Sequence, residues 1–442
     1  MSNMDNIVIS DPILEKKVLT NNIKVSEEFT KFVKEKQLYI KYDADIKADD
    51  SILNIPATAA VLPFAWLNGS DIYVGSLDKT FKESMDCLQN TFKEIYPRIP
   101  FTTEIHADKL VDNKNEPLNP KKRTGLLFSG GVDSTYTLIS NFELKPKLIM
   151  LWGVDNFAYP ERRQHWEKAT SIYTKYAQKN NLEIFIVKTN ISQIFDDRKI
   201  EHRYHKELYN GKYRFTLSHS LILLPTAAPL SMGRFDTFFI ASSHANLDRP
   251  LRPSAALPKL DEKIIWADLK VLHHGNIFRQ NKLEALREYL NKGDITFRVC
   301  LRSNFVDGQI NDGTCEKCSR TIINLVILGI DPNLCGFKVD ETTWKDMKSM
   351  LKKRRTTRVN SSWNKVHKID TDNIEDLYGS KEFFEWFRDF DLKTTEKNWF
   401  YTDLYTSLPY SASKILDKLF VKMEINVHGD AFNREKKEQV NN

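Results

Sequence analysis

Short apolar runs separated by stretches of helical period dominate the middle of the chain. GLLFSG at 125–130, KLIMLWGV at 147–154, LEIFIVKT at 182–189, FDTFFIAS at 235–242, DLKVLH at 268–273 and ITFRVC at 295–300 each read as a buried strand. That alternation predicts βαβ units and an α/β fold, a Rossmann-like, doubly wound, mainly parallel sheet. One intervening helix can be checked by spacing. Trp166, Ala169, Tyr173 and Tyr176 follow i, i+3, i+7 and i+10 and predict a single buried stripe. Before this region, QLYIKY, DIYVGS and PFTTEI read as strands, with helices around Ala57 to Trp66 and over Lys79 to Tyr96. The polar stretch from Val111 to Arg123, with two prolines, reads as a linker. From about Asp340 the pattern turns charged and helical. The expected organisation is a small N-terminal α+β domain over 1–115, the α/β domain over 116–335 and a helical C-terminal domain over 336–442, with a frayed tail after Val427.

Composition narrows the classes. The 442 residues are 41% hydrophobic and 28% charged, which excludes disorder as the main state. A balance of 65 Lys+Arg against 59 Asp+Glu gives +6, too mild to announce a nucleic-acid or membrane partner, so any polyanion site must be local. The first residues lack a basic stretch followed by an apolar one, and no uncharged apolar run is read as approaching the ~18 residues of a membrane span; a cytoplasmic protein with no membrane partner is expected. Four of the five cysteines fall between Cys300 and Cys335, a clustering that suggests metal before disulfide.

The chemistry concentrates at Ser129-Gly130-Gly131-Val132-Asp133-Ser134, between a strand and a helix. Two glycines let several backbone N–H groups converge, and the helix N-terminus adds partial positive charge, so this turn suits a phosphate. Ser129 and Ser134 can donate, and Asp133 suits Mg²⁺ or nucleotide orientation. The lysine of a Walker loop is missing.

SGGVDS in this setting resembles the PP-loop of the N-type ATP pyrophosphatases, which implies ATP and Mg²⁺ as cofactors and cleavage to AMP and PPi. Within that group the likeness is greatest to the 7-cyano-7-deazaguanine synthases, over roughly Gly125 to Gly329. It implies an adenylylating ligase that activates a carboxylate for attack by a nitrogen nucleophile. On the same resemblance, Ser129, Asp133 and Ser134 act in catalysis, while His165, His244, Asp248, Arg279 and Lys282 bind substrate. The implied partner is a deazapurine-like carboxylate, or a protein acceptor as in antiphage relatives.

C-x-x-C at Cys315 and Cys318 with Cys300 supplies three thiolates for structural Zn²⁺. The resembled enzymes carry one further cysteine where this chain has Thr321, so Cys335 or a histidine is expected to complete the shell. The basic run Lys345, Lys348, Lys352, Lys353, Arg354, Arg355 and Arg358 beside Trp344 reads as a solvated face or, less favoured, an RNA contact. His273-His274 reads as structural. The alternatives are a tRNA-modifying enzyme of the thiolation type and a nucleotide-binding module without turnover.

Overall fold

The computed structural model describes residues 6–115, 123–158, 160–243, 254–300, 309–352, 366–367 and 374–392. The chain divides into two compact units. One holds residues 1–129, 137–166 and 173–276; the other holds 130–136, 167–172 and 277–442.

The first unit is built on a mixed, mostly parallel sheet of 11 strands with helices on both sides. Its strands are β1 (Asn6–Ile9), β2 (Ile13–Glu15), β3 (Val18–Val25), β4 (Gln37–Tyr42), β5 (Asp71–Asp78), β6 (Ile105–Val111), β7 (Thr124–Leu127), β8 (Lys147–Trp152), β9 (Ile184–Thr189), β10 (Thr237–Ala241) and β11 (Lys270–His274). The order is β11-β10-β7-β8-β9-β4-β3-β1-β5-β6, with β2 on β3. The run from β11 to β9 is parallel throughout. The chain winds from β7 out to β8 and β9, then returns to place β10 on the opposite side of β7. This makes β7 the topological switch point, where open α/β sheets leave a crevice beyond the strand's carboxyl end.

The strands before residue 115 share a sheet with those that follow. β4 pairs antiparallel with β9, Ile40 opposite Thr189, and so carries the N-terminal strands into the same sheet. The physical reason is an edge: without β4, the β9 ladder would end in unpaired backbone groups. The helix Ile55–Asn68 is apolar on every side and is buried from Ile55 to Leu67, as such a helix must be. With the turn before it, Asp50–Asn68 is long and apolar enough to cross a membrane, contrary to the reading that no run approaches that length, but 94% of its apolar window is buried as a core helix. The helix Lys79–Ile95 is capped by Asp78, whose carboxylate accepts from the Phe81 N–H at 2.7 Å. The stripe on the helix Arg163–Lys179 is as spaced: Trp166, Ala169, Tyr173 and Tyr176 are all buried.

Two expected strands are corrected. PFTTEI is not a strand until Ile105, because Phe101 takes a left-handed φ of 48°. ITFRVC joins no ladder among the described residues. This segment of the second unit is held by the buried Asn311 side chain, which accepts from the Val299 and Cys300 N–H groups and donates to the Phe297 and Gly336 carbonyls. The second unit also carries the helices Arg279–Ala285, Glu316–Ile327, Glu341–Lys352 and Ser380–Asp389, so the described part of the C-terminal region is helical, as expected.

Candidate functional site

Strand β7 stops at Leu127 and the helix Val132–Ser140 begins five residues later, so Ser129 to Gly131 form a tight turn at a helix N-terminus. Gly130 has φ 72°, a backbone that only glycine adopts without strain. The Gly131 carbonyl accepts from the Thr135 N–H at 3.0 Å and the Ser134 hydroxyl at 3.2 Å. Ser129 is exposed, whereas Val132 and Ser134 are buried.

The second unit brings Asp133 together with Arg279 and Lys282, as the sequence placed them in one site. Arg279 Nη2 lies 2.5 Å from Asp133 Oδ2 and Lys282 Nζ lies 2.8 Å from Oδ1. Burial alone would raise the Asp133 carboxyl, but the two cations outweigh it and bring it down to about 2. Lys282 is also lowered, first by burial and then by Arg279, despite the carboxylate beside it. Lys282 is buried and Arg279 only partly so, and the two share the one carboxylate. Both Asp133 oxygens accept from cations, an arrangement that competes with the expected Mg²⁺ ligation.

Three further cations surround this triad, and the sequence reading missed all of them. Lys317 lies within electrostatic reach of Arg279, Arg320, Arg298 and Asp133, and its ammonium is lowered to about 8 by burial first and then by those three arginines. Arg320, 6% exposed, is lowered to about 10 by burial and by Arg279, against the pull of Glu316 and Asp133. The buried Nε atoms of Arg279 and Arg320 have no hydrogen-bond partner among the described residues. Arg298 donates its backbone N–H to the Gly130 carbonyl at 2.7 Å. Among the described residues, Arg279, Lys282, Arg298, Lys317 and Arg320 thus gather around Asp133, with Glu316 within electrostatic reach of Arg320. A cluster of cations of this kind attracts multiply charged anions.

The chain has no match among family models, curated proteins or solved structures.

Beside the basin lies a metal-competent cluster. Cys300, Asp312, Cys315 and Cys318 place one ligand atom each within 4.8 Å of all the others. The Cys315 and Cys300 sulfurs are 4.0 Å apart, close to the ~3.8 Å edge of a tetrahedron with ~2.3 Å metal–sulfur bonds. This donor set could hold a metal such as zinc. Hydrogen bonding with Cys315 raises the Cys300 thiol and burial raises Cys318, and a bound cation reverses both by taking thiolates. Asp312, three residues before Cys315, accepts from the Thr314 and Cys315 N–H groups at 3.0 Å, which fixes its carboxylate at the start of the helix Glu316–Ile327.

Among the described residues, the metal-competent cluster holds Asp312 and not the expected Cys335. Cys335 is fully buried, its thiol pushed up to about 12 by burial and then by Asp331, and its carbonyl accepts from Phe297. Cys335→Ala is expected to keep a full metal complement by elemental analysis, whereas Cys318→Ala loses it. Equal loss in both would restore Cys335 to the shell.

The remaining candidates divide. His165 is 1% exposed and packs edge-to-face on Phe157, a core position in the first unit. His244 and Asp248 lie outside the described residues. His273 is a buried partner of Asp261, Nδ1 to Oδ2 2.6 Å, and His274 contacts Thr137 and Asn141. In the basic run, Trp344 is buried on Phe383 and Phe384, and Lys348 and Lys352 lie over the Trp386 ring, 5.1 and 5.7 Å from its centroid. These contacts make Trp344 a core residue and not a stacking platform; Lys353, Arg354, Arg355 and Arg358 lie outside the described residues.

Proposed function

We propose that the chain is an ATP-dependent ligase of the PP-loop type, which binds the nucleotide's phosphates at the Ser129–Ser134 turn and joins AMP to a carboxylate for attack by a nitrogen nucleophile. One observation carries this reading: a glycine-rich turn at the switch-point strand opens a helix whose second residue, Asp133, is held by Arg279 and Lys282 within a five-cation basin. A triphosphate, and pyrophosphate as it leaves, are multiply charged anions of the kind that clustered cations attract. The basin's role is electrostatic: preorganised cations stabilise negative charge as it accumulates on the departing diphosphate. The cysteine cluster takes zinc in this reading, since three sulfur donors and a carboxylate select a borderline-soft, tetrahedral ion over a hard one. The acceptor is a planar, nitrogen-rich carboxylate of the deazapurine kind, or a protein.

Turnover of ATP with such carboxylates and ammonia should yield AMP and pyrophosphate, separable by chromatography. Ser129→Ala should slow it by about 10²-fold, the scale for losing one preorganised donor to developing charge. ADP and phosphate as the main products would exclude the reading.

A further inference from the structure

The metal cluster and the cationic basin share the same short stretches of chain. Arg298 precedes Cys300 by two residues, Lys317 lies between Cys315 and Cys318, and Arg320 follows Cys318 by two. Cys315 is the N-cap of the helix Glu316–Ile327, so a metal on Cys315 and Cys318 fixes its first turn, and Lys317 and Arg320 lie at i and i+3 on that turn. From the opposite side, the Arg298 N–H is bonded to the Gly130 carbonyl, which ties the glycine turn to the segment that ends in Cys300. The buried Nε of Arg320 has no hydrogen-bond partner among the described residues, and Arg320 senses both Asp133 and Cys315. One guanidinium thus lies within electrostatic reach of both sites.

From this juxtaposition we propose that the metal and the anion are thermodynamically coupled: metal occupancy positions Lys317 and Arg320 as ligands of a diphosphate, and the bound anion in turn raises metal affinity. The metal is then a positioning group for the anion site and not only a fold staple. The proposal rests on the anion-binding reading above, and adds to it two ligands and a dependence. Coupling of this kind is reciprocal by necessity, so it can be measured from either side.

The experiment uses the full chain loaded with zinc. Inorganic pyrophosphate is titrated by calorimetry into wild type, Lys317→Gln and Arg320→Gln, with zinc content and circular dichroism measured on each. Affinity is expected to fall about 10- to 100-fold in each variant, the scale of one charge-assisted hydrogen bond, with zinc content and fold unchanged. In parallel, apparent zinc affinity is measured by competition with a coloured chelator in sulfate or chloride at matched ionic strength. Sulfate should raise wild-type zinc affinity by about 5-fold or more, and leave Arg320→Gln unchanged. Wild type that ignores pyrophosphate would overturn the anion-binding reading itself. Tight pyrophosphate binding that both variants retain, or zinc affinity indifferent to sulfate, would overturn only the coupling. The pyrophosphate arm uses the loaded protein throughout, so it remains decisive even if the stripped chain unfolds.

Discussion

Gly153→Ala is expected to destabilise the first unit by about 4 kcal/mol or more, enough to leave it largely unfolded under mild denaturant. Gly153 follows the last residue of β8 and has φ 94°. A left-handed backbone costs an L-residue ~1 to 2 kcal/mol, and here a steric clash adds more than that. An added Cβ would be driven into the carbonyl oxygen of Thr189. That carbonyl cannot yield. Thr189 ends β9 and is 2% exposed, it pairs with Ile40 of β4, and its hydroxyl donates to the Tyr39 carbonyl at 2.8 Å. Moving it would open the junction that joins the N-terminal strands to the parallel strands. Gly233→Ala is the control, since it has φ 71° but nothing within 4 Å of an added Cβ, and should cost only the backbone part. Denaturant melts compare the two. A Gly153→Ala loss no larger than that of the control would refute the clash.

The parallel strands were legible because a strand buried on both faces leaves an unbroken apolar run, as in KLIMLW. β3 was not, because VLTNNIKV carries an asparagine pair that suggests solvent. Asn21 is 1% exposed, its amide donating to the Asn54 Oδ1 at 2.9 Å, so a buried hydrogen bond hid a core position from a hydrophobicity pattern. The extent of the first unit was hidden for a related reason. Pairing of β4 with β9 joins residues about 150 positions apart, and no local pattern encodes it.

At the site, sequence showed the turn and the two cations on Arg279–Ala285, because a glycine-rich turn and a basic helix are local signals. Lys317, Arg320 and Arg298 were hidden although each lies within two residues of a candidate metal-ligating cysteine. A C-x-x-C knuckle read as a separate metal site leaves the cations beside it without a role. Asp312 had a usable signal: an aspartate three residues before a C-x-x-C, where its carboxylate can both cap the turn and face the ion.

Asp133→Asn is expected to cost about 3 kcal/mol of stability at neutral pH, the low end of the range for breaking a buried ion pair by removing one partner, since Asp133 and Arg279 keep some exposure. The amide keeps the shape and removes the charge. Lys282, with a side chain 1% exposed, then stays buried, and it and the partly exposed Arg279 lose the carboxylate they share. The pH dependence identifies the cause. In the folded state the Asp133 carboxyl is held down at about 2, against an ordinary value near 4. A depressed folded value contributes stability that is fully present above pH ~4 and is lost as pH falls through about 2. The gap between wild type and variant should therefore be constant from pH 7 to 5 and shrink between pH 4 and 2. Denaturant melts at pH 7, 5 and 3 follow it, and a gap that is small at pH 7 or insensitive to acid would show that Asp133 does not hold the basin together. The same variant separates packing from charge. Added pyrophosphate stabilises any folded state that binds it by an amount set by the ratio of its concentration to its dissociation constant. With the carboxylate gone, Arg279 and Lys282 are released to the anion, so pyrophosphate should recover a larger share of stability in Asp133→Asn than it adds to wild type. Equal stabilisation of the two proteins would mean that the anion and Asp133 do not compete for the same cations.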